Sequence, residues 1–173
     1  MKRLIVIAAI LLIPAAAFAQ LQIGATAMYN YPIMAEGATD NIDISNFTFG
    51  ADARLKILLF QASALALYTP GGDDPVTPAI IDVFVDGGVA LDIAILRIGL
   101  GVGPNLRFAM GENNDDPLGY GLNVKATADV MLGGISVGLS YLNSFELDFS
   151  QAGDLLDQDY SKGLLGVSVL FSL

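Results

Sequence analysis

Lys162-Gly163-Leu164-Leu165-Gly166-Val167-Ser168-Val169-Leu170-Phe171-Ser172-Leu173 is the stretch on which the reading of this chain turns. Taken alternately, one side is Gly163, Leu165, Val167, Val169, Phe171 and Leu173. The other is Lys162, Leu164, Gly166, Ser168, Leu170 and Ser172. Strand side chains point to opposite faces in turn, so this is an apolar stripe backed by a smaller, more polar one. It runs to the last residue, and an apolar strand in that position needs a pairing partner. A sheet closed on itself supplies one, because the last strand meets the first. A soluble sandwich ends the same way, so the preceding residues must discriminate.

Upstream, turn-forming clusters recur at even intervals. Polar, Gly- and Pro-rich segments centre near Gly37, Asp74, Asn114 and Asp154, and shorter, less polar interruptions fall near Leu58, Ala94 and Gly133-Gly134. The steps of about 15 to 21 residues hold a strand of about 10 residues plus a connection. Seven connections predict eight strands. Long and short connections alternate, as in a meander with loops at one end and tight turns at the other.

The faces repeat the pattern. Residues 21–31 place Leu21, Ile23, Ala25, Ala27, Tyr29 and Tyr31 opposite Gln22, Gly24, Thr26, Met28 and Asn30. Later strands oppose an uncharged apolar face to one carrying Asp52, Arg54, Lys56, Asp82, Asp86, Arg97, Arg107, Lys125 and Asp129 among Gly, Ser, Thr and Asn. Residues 59–68 are apolar on both faces. A one-residue slip would move charge onto the apolar face, so register is strongly specified.

Alternation alone also fits a soluble, ligand-binding periplasmic barrel with its apolar face inward. The polar face argues otherwise. A wet exterior is normally rich in Lys and Glu. Here the polar face has small residues and nearly balanced charge, which suits the interior of an eight-stranded barrel. The charge-free face suits lipid, where a basic residue at midplane costs about 2–4 kcal/mol. Aromatics gather toward the long-loop ends, Tyr29, Tyr31, Phe47, Phe49, Tyr68, Phe84, Phe108, Tyr120, Tyr141, Phe145 and Tyr160, as in an interfacial girdle. The expected fold is therefore all-β, an eight-stranded antiparallel up-and-down transmembrane β-barrel.

The N-terminus agrees. Met1-Lys2-Arg3 precedes apolar residues 4–13, Pro14 and Ala17-Phe18-Ala19. This reads as a cleavable export signal over residues 1–19, leaving residues 20–173 as one barrel domain. Without Lys2 and Arg3, six basic residues face eighteen acidic ones, a charge of −12. Such an exported, acidic chain is a poor match for nucleic acid.

Chemistry-bearing motifs are sparse. The chain has no His and no Cys, which removes Ser-His-Asp hydrolysis, thiol catalysis and zinc sites built on those residues. A non-enzyme without a cofactor is expected. Acidic loop clusters, Asp73-Asp74, residues 112–116, and Asp154, Asp157 and Asp159, lack the alternating spacing of a calcium loop. The inward charges have two readings. Arg54, Lys56, Arg97, Arg107 and Lys125 pair with Asp52, Asp86 and Asp129 in a filled core, or they line a narrow path. Phe84, Leu142, Leu164 and Leu170 add an apolar option.

With the signal, the eight-strand spacing, the closing strand and Gly99-Leu100-Gly101-Val102-Gly103-Pro104-Asn105-Leu106, the chain resembles the small eight-stranded bacterial outer-membrane barrels of the OmpX/OmpW-like and OmpA-transmembrane-domain group. The group's final strand usually ends in an aromatic, whereas here Phe171 stands two places before Leu173. The resemblance implies an outer-membrane location, periplasmic termini, external loops, and recognition of the C-terminal strand by barrel-assembly machinery. It implies a structural or surface-interaction role, adhesion or envelope integrity, with host or environmental ligands at the loops. The alternative is a narrow pore for small or apolar solutes.

Overall fold

The computed structural model describes residues 19–29, 46–71, 78–110, 118–146 and 163–173. The expected signal segment before residue 19, the acidic loop clusters, Tyr31 and Tyr160 lie outside the described residues.

Eight strands form one closed antiparallel barrel in chain order. They are β1 (Ala19–Tyr29), β2 (Phe47–Ile57), β3 (Phe60–Thr69), β4 (Ala79–Ile93), β5 (Leu96–Met110), β6 (Leu118–Leu132), β7 (Ile135–Glu146) and β8 (Leu164–Ser172). The up-and-down topology is the one read from the spacing. β4, β5 and β6 are each 15 residues long, beyond the expected ten or so. β8 closes on β1 in a register from Gln22 opposite Ser172 to Tyr29 opposite Leu165.

Period-2 sequence becomes a two-sided wall. In β2, Thr48, Asp52, Arg54 and Lys56 are buried while Phe49 and Leu55 are exposed. In β3, whose composition left both faces apolar, Ser63, Leu65 and Leu67 point inward and Phe60 and Tyr68 outward. Phe84 is an inward residue, almost wholly buried. It therefore leaves the aromatic girdle, because height along the barrel does not determine the face. Tyr29 and Phe47 do meet at the loop end, with ring centroids 5.1 Å apart.

Closure places backbones close together at the β1–β8 seam. A Cβ on Gly24 would lie 1.9 Å from the Val169 carbonyl oxygen, which belongs to the paired strand and cannot swing aside. Gly24→Ala is therefore expected to destabilise the barrel by about 1–3 kcal/mol, the usual range for overpacking, measured by urea unfolding in detergent. An unchanged midpoint would show that the seam yields.

Candidate functional site: the filled lumen

Among the described residues, all ten charged side chains with an assigned environment lie on the lumen face: Asp52, Arg54, Lys56, Asp82, Asp86, Asp92, Arg97, Arg107, Lys125 and Asp129. They are arranged by height.

Nearest the tight turns, Asp92 receives two cations. Lys56 Nζ donates to Asp92 Oδ2 at 2.9 Å, and Arg97 Nε donates to Oδ1 at 2.6 Å. Arg97 also donates to Gln22 Oε1 at 2.9 Å and to Gln20 Oε1. Gln22 passes a hydrogen bond on to Ser136 Oγ at 2.8 Å. The register positions Arg97, since β4 and β5 pair Asp92 with Arg97 next to their turn.

The middle layer is a continuous chain of partners. Arg54 Nη1 donates to Asp129 Oδ2 at 2.8 Å, and its Nε donates to Asp52 Oδ2 at 2.9 Å. Lys125 Nζ donates to both Asp52 oxygens at 3.1 Å and to Ser63 Oγ at 3.3 Å. Ser63 in turn donates to Asp86 Oδ2 at 2.8 Å. Arg54, Asp52, Lys125 and Asp129 are each no more than 2% exposed. Ions so deeply buried need these partners, because desolvation costs several kcal/mol per ion.

Above this lies an apolar layer of Met28, Leu65, Leu67, Phe84 and Leu142, with Leu164 packed against it. Toward the loop end the lumen widens into a cavity of about 290 Å³ bordered by Thr48, Thr69, Asp82, Phe84, Arg107 and Leu142, among others. There Arg107 Nε donates to Asp82 Oδ1 at 2.8 Å, and the Arg107 side chain is about half exposed.

The nine charged positions singled out in the sequence thus fall into three groups. The pairing differs from expectation in two respects, at Asp92 and at Arg107. Lys56 and Arg97 meet Asp92 instead of Asp52, Asp86 or Asp129. Asp92 was missed, although extending the β4 alternation through Phe84, Asp86, Gly88 and Ala90 reaches it. Arg107 pairs with Asp82. Phe84, Leu142 and Leu170 are buried inward as expected, and Met28, Leu65 and Leu67 join the apolar layer.

Below the apolar layer four cations (Arg54, Lys56, Arg97, Lys125) meet four carboxylates (Asp52, Asp86, Asp92, Asp129), so that compartment is formally neutral. A paired, formally neutral interior carries no net charge that would concentrate ions of one sign. Among the described residues there is no group of three or more His, Cys, Asp or Glu placed to hold a metal ion.

No protein-family model matches the chain, and no curated protein matches it in sequence. Solved structures do match in fold. The N-terminal β-barrel domain of Pseudomonas aeruginosa OprF superposes with a TM-score of 0.57 at 12% identity, covering 90% of this chain and 98% of that one. Neisserial surface protein A superposes with a TM-score of 0.51 at 10% identity, covering 90% and 97%. At these identities the shared feature is the eight-stranded barrel itself.

Proposed function

We propose that the chain is an integral outer-membrane barrel whose body spans the bilayer as a sealed cylinder and whose loops form a surface outside the cell. Its role on this reading is structural or adhesive, without catalysis. The observation that carries it is the polarity of the wall. The ten charged side chains point inward, while Leu21, Ile23, Val89, Ile98, Leu100, Val102, Leu139, Val167 and Val169 are exposed on the outer face. A soluble monomer seldom exposes more than a few hundred Å² of contiguous apolar surface. Lipid is the solvent that such a face fits, and closure satisfies the backbone as a bilayer demands. The soluble ligand-binding barrel needs the opposite polarity. The shared eight-stranded fold supports the location; external loops, assembly through β8 and contact with ligands at the loops are what the resemblance read from the sequence implies.

The test is extraction and electrophoresis. The exported protein should require detergent, and unboiled samples should migrate differently from boiled ones. Protein that stays soluble without detergent and shows no heat shift would overturn the membrane reading. For the surface role, protease added to intact cells should cut within the long connections, and deleting the gene should alter adhesion or envelope permeability to antibiotics. Intact connections and unchanged phenotypes would remove it.

A further inference from the structure

Three hairpin tips close the barrel at the tight-turn end: Ile57-Leu58-Leu59-Phe60, Ile93-Ala94-Ile95-Leu96 and Leu132-Gly133-Gly134-Ile135. None contains Asn, Asp, Ser or a charge, and only the third, through Gly133-Gly134, has the glycine common in tight turns in water. Leu58 (57%), Leu59 (55%) and Ile95 (61%) are exposed there, as is Leu173 (79%) beside them. The first turn residue is left-handed in each: Leu58 at φ 56°, Ala94 at φ 55° and Gly133 at φ 70°. Gly or Asn adopts that conformation most easily, so Leu58 and Ala94 sit there at a conformational cost.

One backbone carbonyl at each tip joins the wall. The carbonyl of the second turn residue is satisfied within the wall at all three tips. Leu59 O accepts from Ala90 N at 2.8 Å, Ile95 O from Met131 N at 2.6 Å, and Gly134 O from Ser172 N at 2.9 Å. Each of these bonds extends the neighbouring strand ladder by one residue, so the tips are held against the wall.

We infer that the outer perimeter of the tight-turn rim lies in the acyl chains of the membrane and not in the water beyond it. The rim then continues the lipid-facing band of Leu91, Val130, Val137 and Phe171 without a polar border. The polar ring of Gln20, Lys56, Asp92 and Arg97 sits inside that perimeter, at the lumen mouth. This depth assignment rests on the membrane reading above.

The chain has no cysteine, so single-site spin labels are direct. Leu58→Cys, Ile95→Cys and a mid-wall control, Val102→Cys, are labelled with a nitroxide and reconstituted in phosphatidylcholine vesicles. All three labels should collide more with oxygen than with a water-soluble nickel chelate. Nickel dominance at 58 and 95 with oxygen dominance at 102 would overturn the rim assignment and leave the membrane reading intact. Nickel dominance at all three would remove both. Shielding from both reagents at 58 and 95 would mean that protein, not lipid, covers the rim, which also overturns the assignment. An unlabelled variant adds a sign. Leu58→Asn relieves the left-handed leucine, so a wet turn would unfold at higher urea. A rim in lipid should unfold at lower urea.

Discussion

Arg54→Met is expected to destabilise the barrel by about 3–5 kcal/mol, the range for removing one partner of a buried ion pair. The arrangement around Arg54 says which carboxylate suffers. Asp52 keeps Lys125, which reaches both its oxygens at 3.1 Å. Asp129 keeps little. Arg54 is its salt-bridge partner at 2.8 Å, and Asp129 Oδ1 has no hydrogen bond. The substitution therefore strands a carboxylate that is 1% exposed. Adding Asp129→Asn should recover part of the loss, with a coupling of about 0.5–3 kcal/mol between the two sites. Strictly additive losses in urea unfolding would mean that Asp129 finds another partner or water. Arg107→Ala, by contrast, breaks a pair whose arginine side chain is about half exposed. It should cost no more than about 1 kcal/mol.

That contrast shows what alternation in a sequence conveys and what it does not. The inward parity of Arg54, Asp52, Lys125 and Asp129 was legible from period 2, because each is flanked by outward apolar residues. Their mutual pairing was not. Arg54 and Asp129 lie 75 residues apart, on β2 and β6. Which side chains share a height depends on how far each strand is staggered around the barrel, a quantity that local sequence does not carry. Asp92 was overlooked for a related reason. It lies two residues before Ala94, where an interruption was expected, yet β4 keeps its pleat through Ile93. β3 was ambiguous because Leu65 and Leu67 belong to the apolar layer, so its inward face lacks the polar marking of the others. Phe84 carries two readings in the sequence, a girdle position by height and an inward one by parity with Asp82 and Asp86, and the inward one holds.

The apolar layer sets the second large effect. Phe84→Ala with Leu142→Ala should cost more than either alone, about 3–5 kcal/mol being typical for a buried Phe and about 2–5 for a buried Leu. Because Phe84 and Leu142 belong to one cluster, the losses should not add fully. Both residues border the loop-end cavity, so truncation deepens it toward the turns. It should not open a path. Beneath them Asp52, Arg54, Lys125 and Asp129 still cross the lumen, and an ion entering from above would have to separate pairs held at 2.8 to 3.1 Å. The apolar layer, the middle ion pairs and the turn-end network around Asp92 lie in series along the lumen. Planar-bilayer recordings of the wild type and of the Phe84→Ala/Leu142→Ala variant should therefore both stay at the baseline of protein-free membranes. Adding Asp52→Ala and Lys125→Ala removes two crossing side chains while keeping the interior neutral; of these proteins only the four-site variant should conduct, and weakly, because Arg97, Asp92 and Gln22 still cross the lumen beside the turns. Steady conductance in the wild type would replace the sealed cylinder with a pore. Conductance in the two-site variant would show that the ion pairs yield once the apolar layer is gone, leaving Phe84 and Leu142 as the seal.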